Sequence, residues 1–321
     1  MTEESDSGRL YPIRLVDLND WAKLHKSTSD EARRRFVQFV VLECFAVADI
    51  AKSLAFKGGN ALRFGYGYPR STVDLDFTAR DLEDDAAKVR HIIDTTVRTE
   101  SETFGIKCKV SSIHRNPKSL ARTRPTYIVN VAYAFPTDRR TFADFFLIET
   151  PRVPVVPVEI TFNDVICETI LVHFGSDDSV GIEICTLNDI LAEKLRAILQ
   201  QVMRNRNRPQ DVYDVARILR FDREKLDFNK VKTYIAQKCE AREIVFTEEA
   251  FDEEVRSRAK YGYDELRADL GDHFIPFDDA WLEVVSIVRE LLAVEPLNGP
   301  QLRKSRDSMR DAQALPRSPD D

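Results

Sequence analysis

The chain has 321 residues, of which 43% are hydrophobic and 31% charged, so it can fold as one large globular domain or two of ordinary size. Its net charge of −7 argues against a protein that coats DNA. Residues 1–8 contain no apolar signal region, and no run of eighteen uncharged apolar residues occurs, so we expect a cytoplasmic protein.

The five cysteines and five histidines are scattered along the chain. They form no Cys-x-x-Cys motif and no zinc-ligand spacing, so we interpret the cysteines as buried thiols. The scatter of the histidines likewise gives no support to Ser-His or Cys-His catalysis.

The first predicted element is a helix over residues 30–52, because apolar residues recur there at helical spacing. Its apolar face consists of Phe36, Phe39, Val40, Leu42, Phe45 and Ala46.

Residues 54–64 predict a strand, a glycine turn and a helix N-terminus. The apolar residues 54–56 precede Gly58 and Gly59, and Asn60 is placed to cap a short helix. Because glycine has no side chain, the backbone can approach a bound anion, and free N–H groups of the helix then point at it. A triphosphate is the anion we expect.

The segment Val73-Asp74-Leu75-Asp76-Phe77 alternates apolar and acidic residues with the period of a strand. Asp74 and Asp76 therefore share one face, where the two carboxylates repel each other. A divalent cation relieves this repulsion, and Mg²⁺ prefers one or two carboxylates together with phosphate oxygens. A lone Asp-x-Asp or Gly-Gly is more often structural, but the two in this order indicate a metal and nucleotide site.

This combination resembles the signature of the nucleotidyltransferase superfamily with a polymerase-beta-like core. One branch is closer still, the AbiEii/AbiGii toxin family, to which the MenT toxins are similar. The chain has Asn60 where a threonine is expected and Thr72 where a serine is common, and both keep a small polar group. The string that carries the resemblance is Lys57-Gly58-Gly59-x-Ala61-Leu62-Arg63, then Arg70-x-Thr72-x-Asp74-Leu75-Asp76-Phe77.

The resemblance implies a role for several of these residues. It makes Asp74 and Asp76 ligands of Mg²⁺ or Mn²⁺ and catalytic residues. It also implies that an NTP is the substrate. The nucleotide-binding residues it implies are Lys57, Gly58, Gly59, Arg70, Thr72 and Lys194.

Residues 84–174 predict one helix followed by a mixed sheet. The helix extends from Asp84 to Phe104, and turn residues such as Asn116-Pro117 separate the strands. The strands are predicted at 106–113, 126–135, 155–162 and 166–174.

Glu159 lies in the strand predicted at 155–162. Pro157 suggests an edge strand or a strand start, where a glutamate ordinarily faces water. In the superfamily that the sequence resembles, a third carboxylate from a later strand completes the site and can serve as the base. Glu159 matches that position best, and both interpretations stay open at this point.

Two basic tracts contain no acid, at residues 104–137 and 195–210. They can line an electropositive groove for a phosphate backbone, or they can be solvated surface residues. The candidate RNA-binding residues are Arg115, Lys118, Arg122, Arg124, Arg204, Arg206 and Arg208.

After Gly181 the apolar spacing becomes helical. Thr186 and Asp189 resemble a capping box, so a helix begins near residue 187. The family resemblance implies that Lys194 contacts nucleotide phosphates and that Asp211 belongs to the active site. Without the resemblance, the simpler interpretation of Lys194 is an exposed helix lysine. For Asp211 it is an acid that stabilises the first turn of a helix. Helices are predicted at 187–203, 210–219, 223–239, 247–258 and 277–293.

The expected fold is α/β (α+β), with a nucleotidyltransferase-like mixed sheet followed by a mostly helical lobe. The last residues are rich in Pro, Arg, Ser and Asp, and we expect them to be disordered. The expected regions are an N-terminal extension (1–29), the α/β domain (30–185), a helical domain (186–297) and the tail (298–321).

The predicted function is transfer of a nucleoside monophosphate from an NTP to RNA, with release of pyrophosphate. The resemblance makes the 3′ end of tRNA the leading acceptor and implies a toxin that blocks translation and is held by a cognate antitoxin. Three alternatives stay open: a nucleotidyltransferase that modifies protein, a metal-dependent glycosyltransferase and a non-catalytic RNA-binding protein.

Overall fold

The computed structural model describes residues 9–117, 125–148, 153–174 and 181–293. Within these residues, seven strands form one mixed sheet. The predicted tail at 298–321 lies outside them. The strands are β1 (Leu54–Lys57), β2 (Leu75–Ala79), β3 (Lys107–Asn116), β4 (Thr126–Ala134), β5 (Val155–Thr161), β6 (Thr169–Val172) and β7 (Ile182–Cys185).

The strand order across the sheet is β3-β4-β5-β2-β1-β7-β6. Strand β2 is antiparallel to β1 and parallel to β5, and β1 is parallel to β7. The outer pairs β3-β4, β4-β5 and β6-β7 are antiparallel. The two strands that carry the glycine turn and the Asp-x-Asp motif therefore lie in the interior of the sheet.

Helices surround this sheet and continue beyond it, which confirms the predicted fold class. No helix in the described part of the chain is both long enough and apolar enough to cross a membrane. The α-helices in the described residues are α1 (Leu18–Leu24), α2 (Ser29–Val47), α3 (Gly58–Tyr66), α4 (Ala86–Glu100), α5 (Arg139–Ala143), α6 (Leu187–Met203), α7 (Pro209–Phe221), α8 (Phe228–Glu240), α9 (Glu253–Lys260), α10 (Leu266–Leu270) and α11 (Phe277–Ala293).

The N-termini of α2 and α6 are held by side-chain caps. Thr28 accepts a hydrogen bond from the Glu31 backbone N–H at 3.1 Å, and Thr186 accepts one from the Asp189 N–H at 3.3 Å. Such caps satisfy one of the free N–H groups of a first turn. The cap predicted at Thr186 is confirmed.

The apolar core consists of two clusters. The first joins the sheet to α2, α3 and α4, and the second joins α6 to α9 and α11. Leu187, Ile190 and Ile218 belong to the first cluster although they lie on α6 and α7. The helical part is therefore packed directly onto the sheet.

Strand β5 corrects one expectation. Pro157 suggested an edge, but β5 lies between β4 and β2. On the β4 side, Pro157 is paired in register with Asn130. Pairing with β2 begins only at Val158, so the proline lies at the end of that ladder, where a missing donor is tolerated.

Other differences concern element boundaries. The strand predicted at 166–174 is shorter, and β7, which was not predicted, lies beside β1. The helix predicted at 223–239 begins at Phe228 after a separate 3-10 turn, and the one predicted at 247–258 begins at Glu253. Asp227 and Asp252 cap these later starts, so local capping decided the boundaries. Cys167 is only half-buried, unlike the other four cysteines.

Candidate active site

Three carboxylates meet where β2 and β5 run side by side. The parallel register pairs Asp76 with Glu159, and Asp74 lies two residues before Asp76 on the same face. One carboxylate oxygen from each residue lies within 4.8 Å of the other two. Because β5 is an interior strand, Glu159 lies beside the two aspartates. The alternative interpretation, a glutamate that faces water on an edge strand, is therefore wrong.

The crowding of these acids is visible in their pKa values. Burial, followed by the neighbouring Asp74 and Glu159, raises the pKa of Asp76 to about 7. Burial and Asp74 also raise the pKa of Glu159. Carboxylate oxygens are hard donors, and a divalent cation such as Mg²⁺ or Mn²⁺ offsets the repulsion between neighbouring carboxylates. The residues present fit such an ion.

The glycine turn lies directly against these carboxylates. Lys57, the last residue of β1, pairs in register with Asp76, and α3 begins at the next residue. Gly58 has a φ of +78°, which favours glycine. At Gly59 a β-carbon would lie 2.5 Å from Nη2 of Arg70. A side chain at Gly58 would collide with Asp76, and one at Gly59 with Arg70. Only glycine lets the backbone lie this close to both side chains.

The N-terminus of α3 has no side-chain cap, since Lys57 is the N-cap residue and makes no capping hydrogen bond. The free N–H groups of a first turn carry partial positive charge and can bind an anion. This turn is thus suited to the phosphates of a nucleotide.

Asn60 does not cap this helix, which corrects the prediction. It is buried within α3, and its amide donates to the backbone carbonyls of Thr72, at 3.1 Å, and of Asp74. Gln38 on α2 donates to the carbonyls of Thr72 and Val73, both at 2.9 Å. These bonds fix the backbone that presents Asp74.

Lys194 and Arg70 meet at a buried aspartate that was not among the predicted site residues. Nζ of Lys194 lies 2.6 Å from Asp214 and 3.0 Å from Asp211. The Arg70 guanidinium pairs with the same Asp214 carboxylate, its Nε donating at 2.7 Å. Oδ2 of Asp211 is buried, and among the described residues it has no hydrogen-bond donor, although Arg208 approaches to 3.7 Å.

Lys57 is held by a second aspartate that sequence reasoning missed. Asp164, which follows β5, lies 2.7 Å from Nζ of Lys57 and 2.7 Å from Arg242. Burial opposes ionisation of Asp164, but these two cations outweigh it and hold its pKa well below the usual range. The pair fixes Lys57 beside the three carboxylates.

The three carboxylates, the glycine turn and the paired cations Lys57, Arg70 and Lys194 line one cavity of about 1210 Å³. Arg115 is not among the described residues that line it, and Lys118, Arg122 and Arg124 lie outside the described part of the chain. The predicted site residues that line the cavity are Lys57, Gly58, Gly59, Arg70, Thr72, Asp74, Asp76, Glu159, Lys194, Arg204, Arg206, Arg208 and Asp211.

The sequence of residues 40–284 matches the family described as nucleotidyl transferase AbiEii toxin of a type IV toxin-antitoxin system. This match spans most of the chain and includes every residue of the cavity described above. The chain belongs to the AbiEii family. It is therefore a nucleotidyltransferase and a toxin, and its class implies an antitoxin partner. Its family generally uses a divalent metal and an NTP.

Among solved structures, the AbiEii-family chain is similar to two proteins of Helicobacter pylori. One is described as a nucleotidyltransferase, with 15% identity, a TM-score of 0.49 and coverage of 82% of this chain and 95% of the other. The second, JHP933, has 14% identity, a TM-score of 0.46 and coverage of 89% and 99%.

A third similar structure is that of MenT4, a nucleotidyltransferase toxin of Mycobacterium tuberculosis. It has 15% identity and a TM-score of 0.48, with coverage of 89% of this chain and 94% of the other. A search among curated proteins found no match. The family assignment therefore depends on the sequence match over residues 40–284.

For Asp214 the sequence of this AbiEii-family protein did contain a signal. Asp211 and Asp214 are three residues apart on α7, which places them on one helix face. Two acids on a buried face require cationic partners. For Asp164 no signal existed, because an aspartate after a strand is ordinarily read as a turn residue.

Proposed function

We propose that this toxin transfers a nucleoside monophosphate from an NTP to RNA in the cytoplasm, and that the 3′ end of tRNA is the acceptor. A blocked 3′ end cannot be charged with an amino acid, so translation would stop. One observation carries the proposal. Three carboxylates lie in the same cavity as the N-terminus of α3, which begins with two glycines and has no side-chain cap.

The chemistry assigns a role to each group. The acceptor hydroxyl oxygen attacks the α-phosphorus, the bond from that phosphorus to the bridging oxygen breaks, and pyrophosphate leaves. Glu159, whose pKa is raised by burial and by Asp74, accepts the hydroxyl proton in this proposal. Gly58 and Gly59 present N–H groups to phosphates, and Lys194 offsets the charge that develops on the leaving pyrophosphate.

Asp74, Asp76 and Glu159 would hold the divalent cation. When bound, such an ion activates a hydroxyl or stabilises the leaving oxygen of an in-line displacement. Without it, burial and the neighbouring carboxylates raise the pKa of Asp76 to about 7, so its ionised form is unfavourable.

The arginines between α6 and α7 support RNA as the acceptor. Arg204 and Arg206 are exposed, line the cavity and form no ion pair with any described residue. Burial, followed by the nearby Arg242 and Arg196, lowers the pKa of Arg204. A polyanion placed here would relieve this mutual repulsion.

The test uses the purified full chain with total tRNA, Mg²⁺ and each α-labelled NTP in turn. We expect label on tRNA, and none with a chelator, with Asp76→Asn or with tRNA whose 3′ end has been oxidised by periodate. Asp138→Asn is the matched control, because Asp138 is exposed in part and pairs with Arg33 away from the cavity.

Other outcomes would identify other functions. Label on protein would indicate a protein-modifying enzyme. Label on oxidised tRNA would exclude its 3′ end as the acceptor. RNA affinity that survives Asp76→Asn, with no NTP turnover by the wild type, would indicate a non-catalytic RNA-binding protein and overturn the proposal.

A further inference from the structure

Asp214 binds two cations that come from separate parts of the chain. It lies on α7 with 1% of its surface exposed. It accepts three hydrogen bonds: from Nε of Arg70 at 2.7 Å, from Nη2 of the same guanidinium, and from Nζ of Lys194 at 2.6 Å. Arg70 precedes β2 and Lys194 lies on α6, so one carboxylate joins three segments.

The acids and cations of this cluster stabilise each other's charged forms. Burial opposes the ionisation of Asp214, but Arg70 and Lys194 outweigh it and lower its pKa. Asp214 in turn outweighs burial and raises the pKa of both cations. Lys194 also pairs with Asp211, which Arg208 approaches to 3.7 Å. Both cations therefore stay charged, and a bidentate guanidinium pair holds its partner in one orientation.

Asp214 contacts the cavity only through its partners. Arg70, Lys194 and Asp211 line the cavity, whereas Asp214 is not among the described residues that do. Nη2 of Arg70 lies against Gly59, where a β-carbon would be 2.5 Å away. Arg70 therefore stands beside the N-terminus of α3, while Asp214 lies behind it.

We propose that Asp214 is a positioning residue, which orients Arg70 and Lys194 as a fixed cationic pair for the triphosphate. This inference rests on the proposed function, since it supposes that a triphosphate occupies the cavity. A side chain already held in its binding geometry loses less conformational freedom when the ligand arrives. Asp214 thus acts on the nucleotide without touching it.

The first test compares Asp214→Asn with Asp222→Asn for equilibrium binding of a non-hydrolysable NTP in the presence of Mg²⁺. Asp222 is the C-cap residue that follows α7, and it is 8% exposed. It pairs with Tyr68 and Lys225 and does not line the cavity. We expect Asp214→Asn to weaken NTP binding at least about tenfold, since charge-assisted hydrogen bonds are lost, and Asp222→Asn to leave it unchanged.

A double-mutant cycle separates positioning from general structural damage. Because Asp214 acts through both cations, Asp214→Asn should lose most of its effect on NTP affinity in a background in which Arg70 and Lys194 are both replaced by methionine. Additive losses, or an NTP affinity that is unchanged in Asp214→Asn, would overturn the inference. The affinity for a nucleoside monophosphate should change less than that for the triphosphate, because the pair is placed for the outer phosphates.

Asp214→Glu keeps the test decisive if the asparagine variant does not fold. It retains the negative charge but moves it by one methylene group, so we expect a folded protein with weakened NTP binding. Unchanged NTP binding in that variant would refute the positioning role.

The outcome also separates the two proposals. If the wild type binds NTP but labels no RNA, RNA is excluded as the acceptor. The NTP affinities of the variants would still test the positioning role of Asp214. If the wild type binds no NTP in the presence of Mg²⁺, both the proposed function and the positioning role are refuted.

Discussion

A β-carbon added to Gly58 would lie 2.4 Å from Oδ2 of Asp76 and 3.0 Å from its carboxyl carbon. The glycine also has a φ of +78°, so two independent constraints act on one residue. The space that a side chain would fill is occupied by a candidate metal ligand. The glycine turn and the acidic strand are therefore one structural unit.

Gly58→Ala should abolish nucleotidyl transfer, because the new methyl group displaces the Asp76 carboxylate. Gly67→Ala is the matched control, since Gly67 ends the same helix with a φ of +72° and has no atom within 4 Å of its would-be β-carbon. Both variants should lose about 1 kcal/mol of stability from the left-handed backbone. Label transfer and thermal unfolding measure the two effects, and equal activity in both variants would contradict the explanation.

Asp76→Asn should lower the rate of transfer at least about 100-fold, since a ligand of the catalytic ion is removed. In a chelator at pH 8 the same variant should be more stable than the wild type by about 1–2 kcal/mol. The reason is that burial and neighbouring carboxylates raise the pKa of Asp76 to about 7, so its ionised form is unfavourable without metal. Urea unfolding with and without Mg²⁺ checks this, and a less stable variant in chelator would count against it.

Asp164→Asn should cost about 3 kcal/mol of stability at pH 7, because it leaves the partly buried cations Lys57 and Arg242 beside a neutral group. The pKa of Asp164 is lowered in the folded protein. Its contribution is therefore present above the unfolded pKa of about 4 and is lost as the pH falls below it.

The measurement for Asp164 is urea unfolding of wild type and variant at several pH values. The difference should stay constant from about pH 7 to 5 and shrink below about pH 4. Asp138→Asn, at a more exposed ion pair with Arg33, should change stability by less than about 1 kcal/mol throughout. A difference for Asp164→Asn that grows as the pH falls would refute the assigned ionisation.

Arg204→Ala with Arg206→Ala should weaken RNA binding and reduce its salt dependence. Each lost phosphate contact should lower the slope of log affinity against log salt by about 0.7–0.9. Arg223→Ala with Arg289→Ala is the control, because these exposed arginines pair with Glu290 and Glu248 and do not line the cavity. Filter binding across a salt series gives the slopes. Equal slopes for the two double variants would exclude the segment between α6 and α7 as an RNA contact.

The local part of the site was predictable from the sequence. Strand alternation alone places Asp74 and Asp76 on one face, and a glycine pair after an apolar run predicts the turn at Gly58. The cap at Thr186 followed from residues three positions apart. In each case the interacting groups are close in sequence, so a short-range rule is sufficient.

Asn60 shows where such a rule fails. Its position in the sequence predicted a helix cap. In the structure its side-chain amide instead donates hydrogen bonds to the backbone carbonyls of Thr72 and Asp74. Its buried amide makes two hydrogen bonds there, whereas a cap offers one, so the tertiary contact wins.

The sequence by itself determined the glycine turn, the paired aspartates, the family resemblance and the order of sheet and helices. Only the tertiary structure decided that β5 lies beside β2, which brings Glu159 to Asp76, and that Asp164 and Asp214 hold the cations of the cavity. The Asp76–Glu159, Lys57–Asp164 and Arg70–Asp214 contacts each join residues more than eighty positions apart. They depend on which surfaces pack together, and no spacing within the sequence specifies that.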